Sequence, residues 1–66
     1  MASIETINFP NGNIKQQSYT LDGKLHRTDD NPAKIKYYEN GNIKSEQYWI
    51  DGEFHRTDDK PAVIKY

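Results

Sequence analysis

The chain contains no cysteine. Disulfides and thiolate metal sites are therefore excluded, and the absence fits a reducing compartment. Apolar residues are scarce, at 33% of 66 positions. A chain of this length buries only about 60% of the surface its unfolded form exposes, so its core is thin. With disulfides excluded and no obvious metal cluster, self-association is the remaining route to added stability. No stretch is apolar for long enough to span a membrane as a helix. Met1–Phe9 has neither the basic start nor the apolar run of a signal peptide. Neither sign of charge dominates, with 9 Lys and Arg against 10 Asp and Glu, which is not the balance of a general nucleic-acid binder. Apolar residues at helical spacing are missing too, so no helix is expected.

What is present is a repeat. Phe9–Tyr37 aligns without a gap on Tyr38–Tyr66, and 18 of the 29 positions are identical. The longest kept stretch reads "DGKLHRTDDNPA" from Asp22 and "DGEFHRTDDKPA" from Asp51. A fixed period of this size marks an architecture in which units bury their apolar faces by stacking on one another. Residues 1–66 read as one domain: a leader strand over 1–8, a first repeat over 9–37 and a second over 38–66. About three units are usually needed for a stable stack, which again points to a homodimer. An unpaired strand edge ending at Tyr66 is one place for a second chain to pair.

Turn signals recur every ten residues or so among Tyr, Ile and Thr, the pattern of short antiparallel strands. Asp22-Gly23 and Asp51-Gly52 predict two-residue hairpins, because type I′ turns need positive φ at both positions. Ile50 then pairs with Glu53, Trp49 with Phe54 and Tyr48 with His55. "PNGN" and "ENGN" predict a three-residue loop: a type I turn followed by glycine at a left-handed position. That loop pairs Tyr38 with Asn42, Tyr37 with Ile43 and Lys36 with Lys44. Continued regularly, it places Ala33, Ile35, Tyr37, Ile43, Trp49 and Phe54 on one core face. Lys34, Lys36, Tyr38, Lys44, Glu46, Tyr48, Ile50 and His55 fall on the other. Lys36 opposite Lys44 is an unfavourable like-charge pair unless solvated or facing an anion. Trp49 and Phe54 in the second copy replace Thr20 and Leu25 in the first, so the second copy is expected to anchor the fold.

The kept "HRTDD" invites a catalytic or metal-binding reading. A metal site needs three or four converging ligands, whereas each copy offers one His and adjacent Asp residues whose side chains diverge. A catalytic set needs a pocket, and the thin core provides little material for one. No catalytic residue, metal ligand or cofactor is therefore assigned. The scaffold reading is stronger. Asp residues bond nearby backbone amides, and proline fixes the exit into the strand from Ala33 or Ala62. Arg27 and Arg56 are expected to clasp the carboxylates of their own loops.

The functional class that remains is an interaction module. Its candidate partner-binding residues are Lys36, Tyr38, Lys44, Tyr48, Trp49, His55 and Arg56, a basic and aromatic set. Trp49, the one tryptophan, fits either a core anchor or an interface hot spot. The alternative is an oligomer that gathers Lys36, Lys44, Tyr48 and Arg56 around a phosphate or nucleotide.

"YYENGNIKSEQYWIDGEFHR", Tyr37–Arg56, resembles the MORN-variant repeat, a hairpin unit with the cadence Y-x-x-N-G-x-x-K-x-E-x-x-x-x-x-G-x-x-H. The wider "DGxxHRxDxPA" unit resembles a longer relative of that repeat in phage, giant-virus and bacterial proteins. The resemblance covers the chain from Phe9 onward. It implies an all-β antiparallel hairpin meander without catalytic residues, serving as a protein-binding scaffold. For a free-standing pair of repeats it implies a small inhibitor or adaptor, antitoxin-like or of the phage anti-defence kind, acting on a partner protein in the cytoplasm of a bacterial host. One loop position often held by Gly in that family is Asn31 in one copy and Lys60 in the other. A left-handed backbone there would strain Lys60.

Overall fold

A computed structural model describes residues 2–56 and 60–66. Part of the second HRTDD stretch, Thr57, Asp58 and Asp59, lies outside the described residues. The described chain is all-β: β1 (Ala2–Asn8), β2 (Ile14–Leu21), β3 (Lys24–Leu25), β4 (Lys34–Tyr37), β5 (Ile43–Gln47), β6 (Trp49–Ile50), β7 (Glu53–Phe54) and β8 (Val63–Lys65). The main sheet runs β1-β2-β4-β5-β8, all antiparallel, with β3 folded back on β2. β6 and β7 form a separate hairpin. The molecule measures 35 × 28 × 15 Å.

The expected turns form. Asp22 and Gly23 have φ of 51° and 83°, and Asp51 and Gly52 of 49° and 81°, as type I′ geometry requires. Trp49 pairs with Phe54 and Ile50 with Glu53, and His55 N donates to Tyr48 O at 3.0 Å. The three-residue loop is also present. Tyr38 N donates to Asn42 O at 2.8 Å, Gly41 N donates to Tyr38 O at 3.0 Å, and Gly41 has φ 94°. Asn40 Oδ1 accepts from Asn42 N at 3.0 Å and braces the turn. The first copy repeats these bonds at Phe9, Gly12, Asn11 and Asn13.

The faces differ from the sequence expectation, and the cause is one residue. Tyr37 pairs with Ile43 as expected, but Lys36 pairs with Ser45 and not with Lys44. Lys44 is the extra residue of a β-bulge. The first copy has the same device, since Asn8 pairs with Ile14 and Ile7 with Gln16, leaving Lys15 extra. An extra residue exchanges the faces of everything beyond it. Tyr48 consequently joins Ala33 and Ile35 in the core, at 7%, 0% and 9% exposure. Trp49 moves to the opposite face, where its Nε1 donates to Gln47 Oε1 at 3.1 Å. Ile43 and Phe54, expected in the core, are exposed at 39% and 52%. The expected anchoring role of the second copy is thus not seen in the burial. The buried apolar residues are Ala33 and Ile35 of the first copy together with Tyr48 of the second.

Candidate functional site

The kept arginines are built into the scaffold. The Arg27 guanidinium lies 3.8 Å from the Tyr19 ring centroid, and that of Arg56 lies 3.8 Å from the Tyr48 ring. A guanidinium over an aromatic face is attracted by the ring quadrupole. Arg27 Nη1 also donates to Pro32 O at 3.2 Å, and Arg56 Nη1 to Pro61 O at 3.2 Å. Each arginine thus ties the exit of its loop to a tyrosine of its own sheet. This local rule accounts for the recurrence of Tyr, His-Arg and Pro-Ala at fixed spacing.

Among the described residues the arginines bond otherwise than to carboxylates of their own loops, and the expected clasp of Arg56 on Asp58 and Asp59 lies outside the described residues. Arg56 Nε donates to Asp30 Oδ1 at 2.9 Å, a carboxylate of the other copy, and Lys60 Nζ donates to Asp30 Oδ2 at 3.0 Å. The Arg56 side chain is 13% exposed and that of Asp30 38%. Hydrogen bonds from Arg56 and then Lys60 hold the Asp30 carboxyl below its ordinary value, and the same bond raises the Arg56 guanidinium. Asp29 and Asp30 carry the loop's left-handed backbone, with φ of 63° and 56°. Aspartate tolerates that region better than most residues. Asn31, which holds the corresponding position in the first copy, is not among the described residues with positive φ.

The candidate partner residues separate into two groups. Tyr48 is buried and Arg56 half-buried over its ring, so neither offers much to a partner. Trp49 is half-buried against Phe54, with ring centroids 4.0 Å apart, while His55 is exposed beside them. Lys36, Tyr38 and Lys44 come together elsewhere, lining a shallow cleft with Lys65 and Tyr66. Lys44 Nζ lies 5.9 Å from the Tyr38 ring centroid, and Lys15 Nζ lies 5.8 Å from the Phe9 ring in the first copy.

The register shows how that basic surface is assembled. Cross-strand partners share a face. One row across the sheet reads Ile7, Gln16, Lys36, Ser45, Lys65. The next reads Glu5, Ser18, Lys34, Gln47, Val63. The bulge residue Lys44 borders the cleft of Lys36 and Lys65, Lys15 is its counterpart in the first copy, and both border a second cleft with Phe9, Gln16, Lys36 and Tyr37. Ser18 and Ser45, at 8% and 7% exposure, lie between longer side chains, whose aliphatic stems cover small neighbours. Lys34 is expected from sequence on the face of Lys36 and Lys44, but Lys15, Lys34 and Lys65 are not among the candidate partner residues. Their signal was the recurrence of Lys15 as Lys44 and of Lys36 as Lys65, which regular alternation placed without the bulge.

Among the described residues, no group of three or more His, Asp or Glu could hold a metal ion, and no helix is long and apolar enough to cross a membrane. Fold and surface together define an all-β hairpin-repeat protein with one lysine-rich sheet face. No protein-family model, curated protein or solved structure matches the chain.

Proposed function

We propose that the protein is a non-enzymatic protein-binding module, an inhibitor or adaptor, whose lysine-rich sheet face docks an acidic surface of a partner protein. The observation that carries this reading is the convergence of Lys15, Lys34, Lys36, Lys44 and Lys65 on one face, with Glu5 as the acid in the same rows. Like charges gathered on a solvated face repel one another and are relieved by an anionic surface. Phe9 and Tyr38 supply apolar contact beside the charges, and aromatic groups next to cations are favoured in interfaces.

The test is co-purification with wild-type bait and with a Lys36→Glu/Lys44→Glu bait, followed by mass spectrometry and measured affinity for the recovered partner. A partner with an acidic surface is expected, bound at least tenfold less tightly by the variant at a melting temperature no lower than that of the wild type. A partner bound equally by both baits would refute the lysine face as its site. The same lysines also suit a phosphate or nucleotide. A melting temperature raised by nucleotides, with no protein partner recovered, would favour that ligand-binding reading.

A further inference from the structure

The two copies meet along a definite seam. Ala33 N donates to Gln47 O at 2.8 Å, Arg27 N to Trp49 O at 3.2 Å and Gly52 N to Leu25 O at 2.9 Å. Asp51 N donates to His26 Nδ1 at 3.1 Å. The trailing edge of the second copy, formed by Phe54, His55 and β8, is this same surface one period later. Among the described residues nothing covers it. Leu25 is half-buried under the seam, whereas its counterpart Phe54 is 52% exposed. His26 is half-buried and His55 exposed, and Ala33 is buried where Ala62 is half-buried.

The leading end of the first copy is covered, and by β1. Shifted by one period, the β1–β2 register reproduces that of β4–β5. Glu5–Ser18 matches Lys34–Gln47, Thr6–Gln17 matches Ile35–Glu46, and Ile7–Gln16 matches Lys36–Ser45. Asn8–Ile14 matches Tyr37–Ile43, with the bulge at the same step. β1 therefore occupies the slot that the last strand of a preceding copy would fill. It packs lightly there, since every one of its residues is exposed.

We propose that β1 is an exchangeable cap, and that the trailing edge of one chain docks on β2 of a second copy in place of β1. The occupant is a second copy because the intramolecular seam is its template. The first repeat of another chain presents the Asp22-Gly23 turn where the seam uses Asp51-Gly52. Repeating the internal register sets Val63 opposite Ser18 of a second copy, Ile64 opposite Gln17 and Lys65 opposite Gln16. The seven β1–β2 pairs are exchanged for the three pairs of β8 and a second set of the seam bonds, and protein concentration shifts the balance toward docking. The contact is heterologous: a dimer keeps one free end of each kind, and further chains can add.

A Ser3→Cys/Thr20→Cys chain tests this directly, because the two hydroxyl oxygens lie 2.7 Å apart and the protein has no other cysteine. Sedimentation of the wild type at rising concentration is expected to show multiples of the 7.7 kDa chain mass. The oxidised double variant is expected to stay monomeric at the same concentrations and to assemble again on reduction. A wild type that remains monomeric at millimolar concentration, or a locked variant that assembles equally well, would overturn the proposal. The register has its own test in an equimolar mixture of Gln16→Cys and Lys65→Cys chains. Mixed disulfides between the two are expected. An excess of Lys65→Cys homodimers would mean two-fold pairing of β8 edges and would overturn head-to-tail docking.

Discussion

Arg56 of the second copy donates its Nε–H to Asp30 of the first at 2.9 Å, across 26 residues of chain. The link couples the two kept loops, although the sequence pattern suggests that each closes on itself. Asp30 is held below its ordinary value of 3.8, first by Arg56 and then by Lys60. A depressed carboxylate adds stability that is present above the unfolded value and is lost as pH falls through the folded one. Urea midpoints of wild type and Asp30→Asn should therefore differ near neutral pH and converge as pH falls below about 4. A constant gap down to pH 2 would show that Asp30 acts by packing and not by charge.

Core truncations should rank by observed burial. Ile35→Ala should cost about 2–5 kcal/mol, the range for a buried Ile. Trp49→Ala should follow, because it removes both the stack on Phe54 and the bond to Gln47. Phe54→Ala should be mildest, near the ~0.5–1.5 kcal/mol of an aromatic pair, because its ring is 52% exposed. Chemical denaturation of the three variants gives the order, and Phe54→Ala as the most damaging would contradict the face assignment.

The bulge makes one residue of β5 dispensable and its neighbours not. Without Lys44, Ile43 and Ser45 become adjacent and still oppose Tyr37 and Lys36. The expected loss is the bond from Tyr66 N to Lys44 O, worth about 1 kcal/mol. Deleting Glu46 instead shifts everything beyond it to the wrong face. Amide NMR spectra should be dispersed for the first deletion and collapsed for the second. The reverse outcome would show that Lys44 is not the extra residue.

Repulsion on the lysine face should be visible as a salt effect. Screening lengths shrink from about 30 Å at 0.01 M salt to about 8 Å at 0.15 M, so the melting temperature of the free protein should rise over that range. A Lys36→Gln/Lys65→Gln chain should melt higher than wild type at low salt and respond less to added salt. Parallel salt curves for the two proteins would mean that these lysines do not repel.

The repeat, the Asp-Gly hairpins and the Trp49–Phe54 pairing were legible because each follows from local residue chemistry. The loop after Tyr38 was legible for the same reason, since glycine recurs at the position needing positive φ. The bulge was not. Lys44 is an ordinary strand residue by composition, and alternation along "NIKSEQYW" fits either register equally well. That single ambiguity moved Tyr48 inward and Trp49 outward, and it scattered the candidate partner residues. The Arg56–Asp30 bond was illegible for another reason. A residue period reports that two loops are alike but not whether their charges pair within a copy or between copies.

The matched registers of β1, β4 and β8 also bear on how the chain can vary in length. Its structural period can begin at Ala2 as well as at Phe9, so the strand occurs three times and the Asp-Gly hairpin twice. A duplication of Tyr38–Tyr66 placed after Tyr66 would meet a seam already written in the existing residues, with no new contact to be invented. Gene segments of 29 codons could accumulate or be lost without refitting either end, which makes copy number, more than sequence, the readily changed variable of this fold.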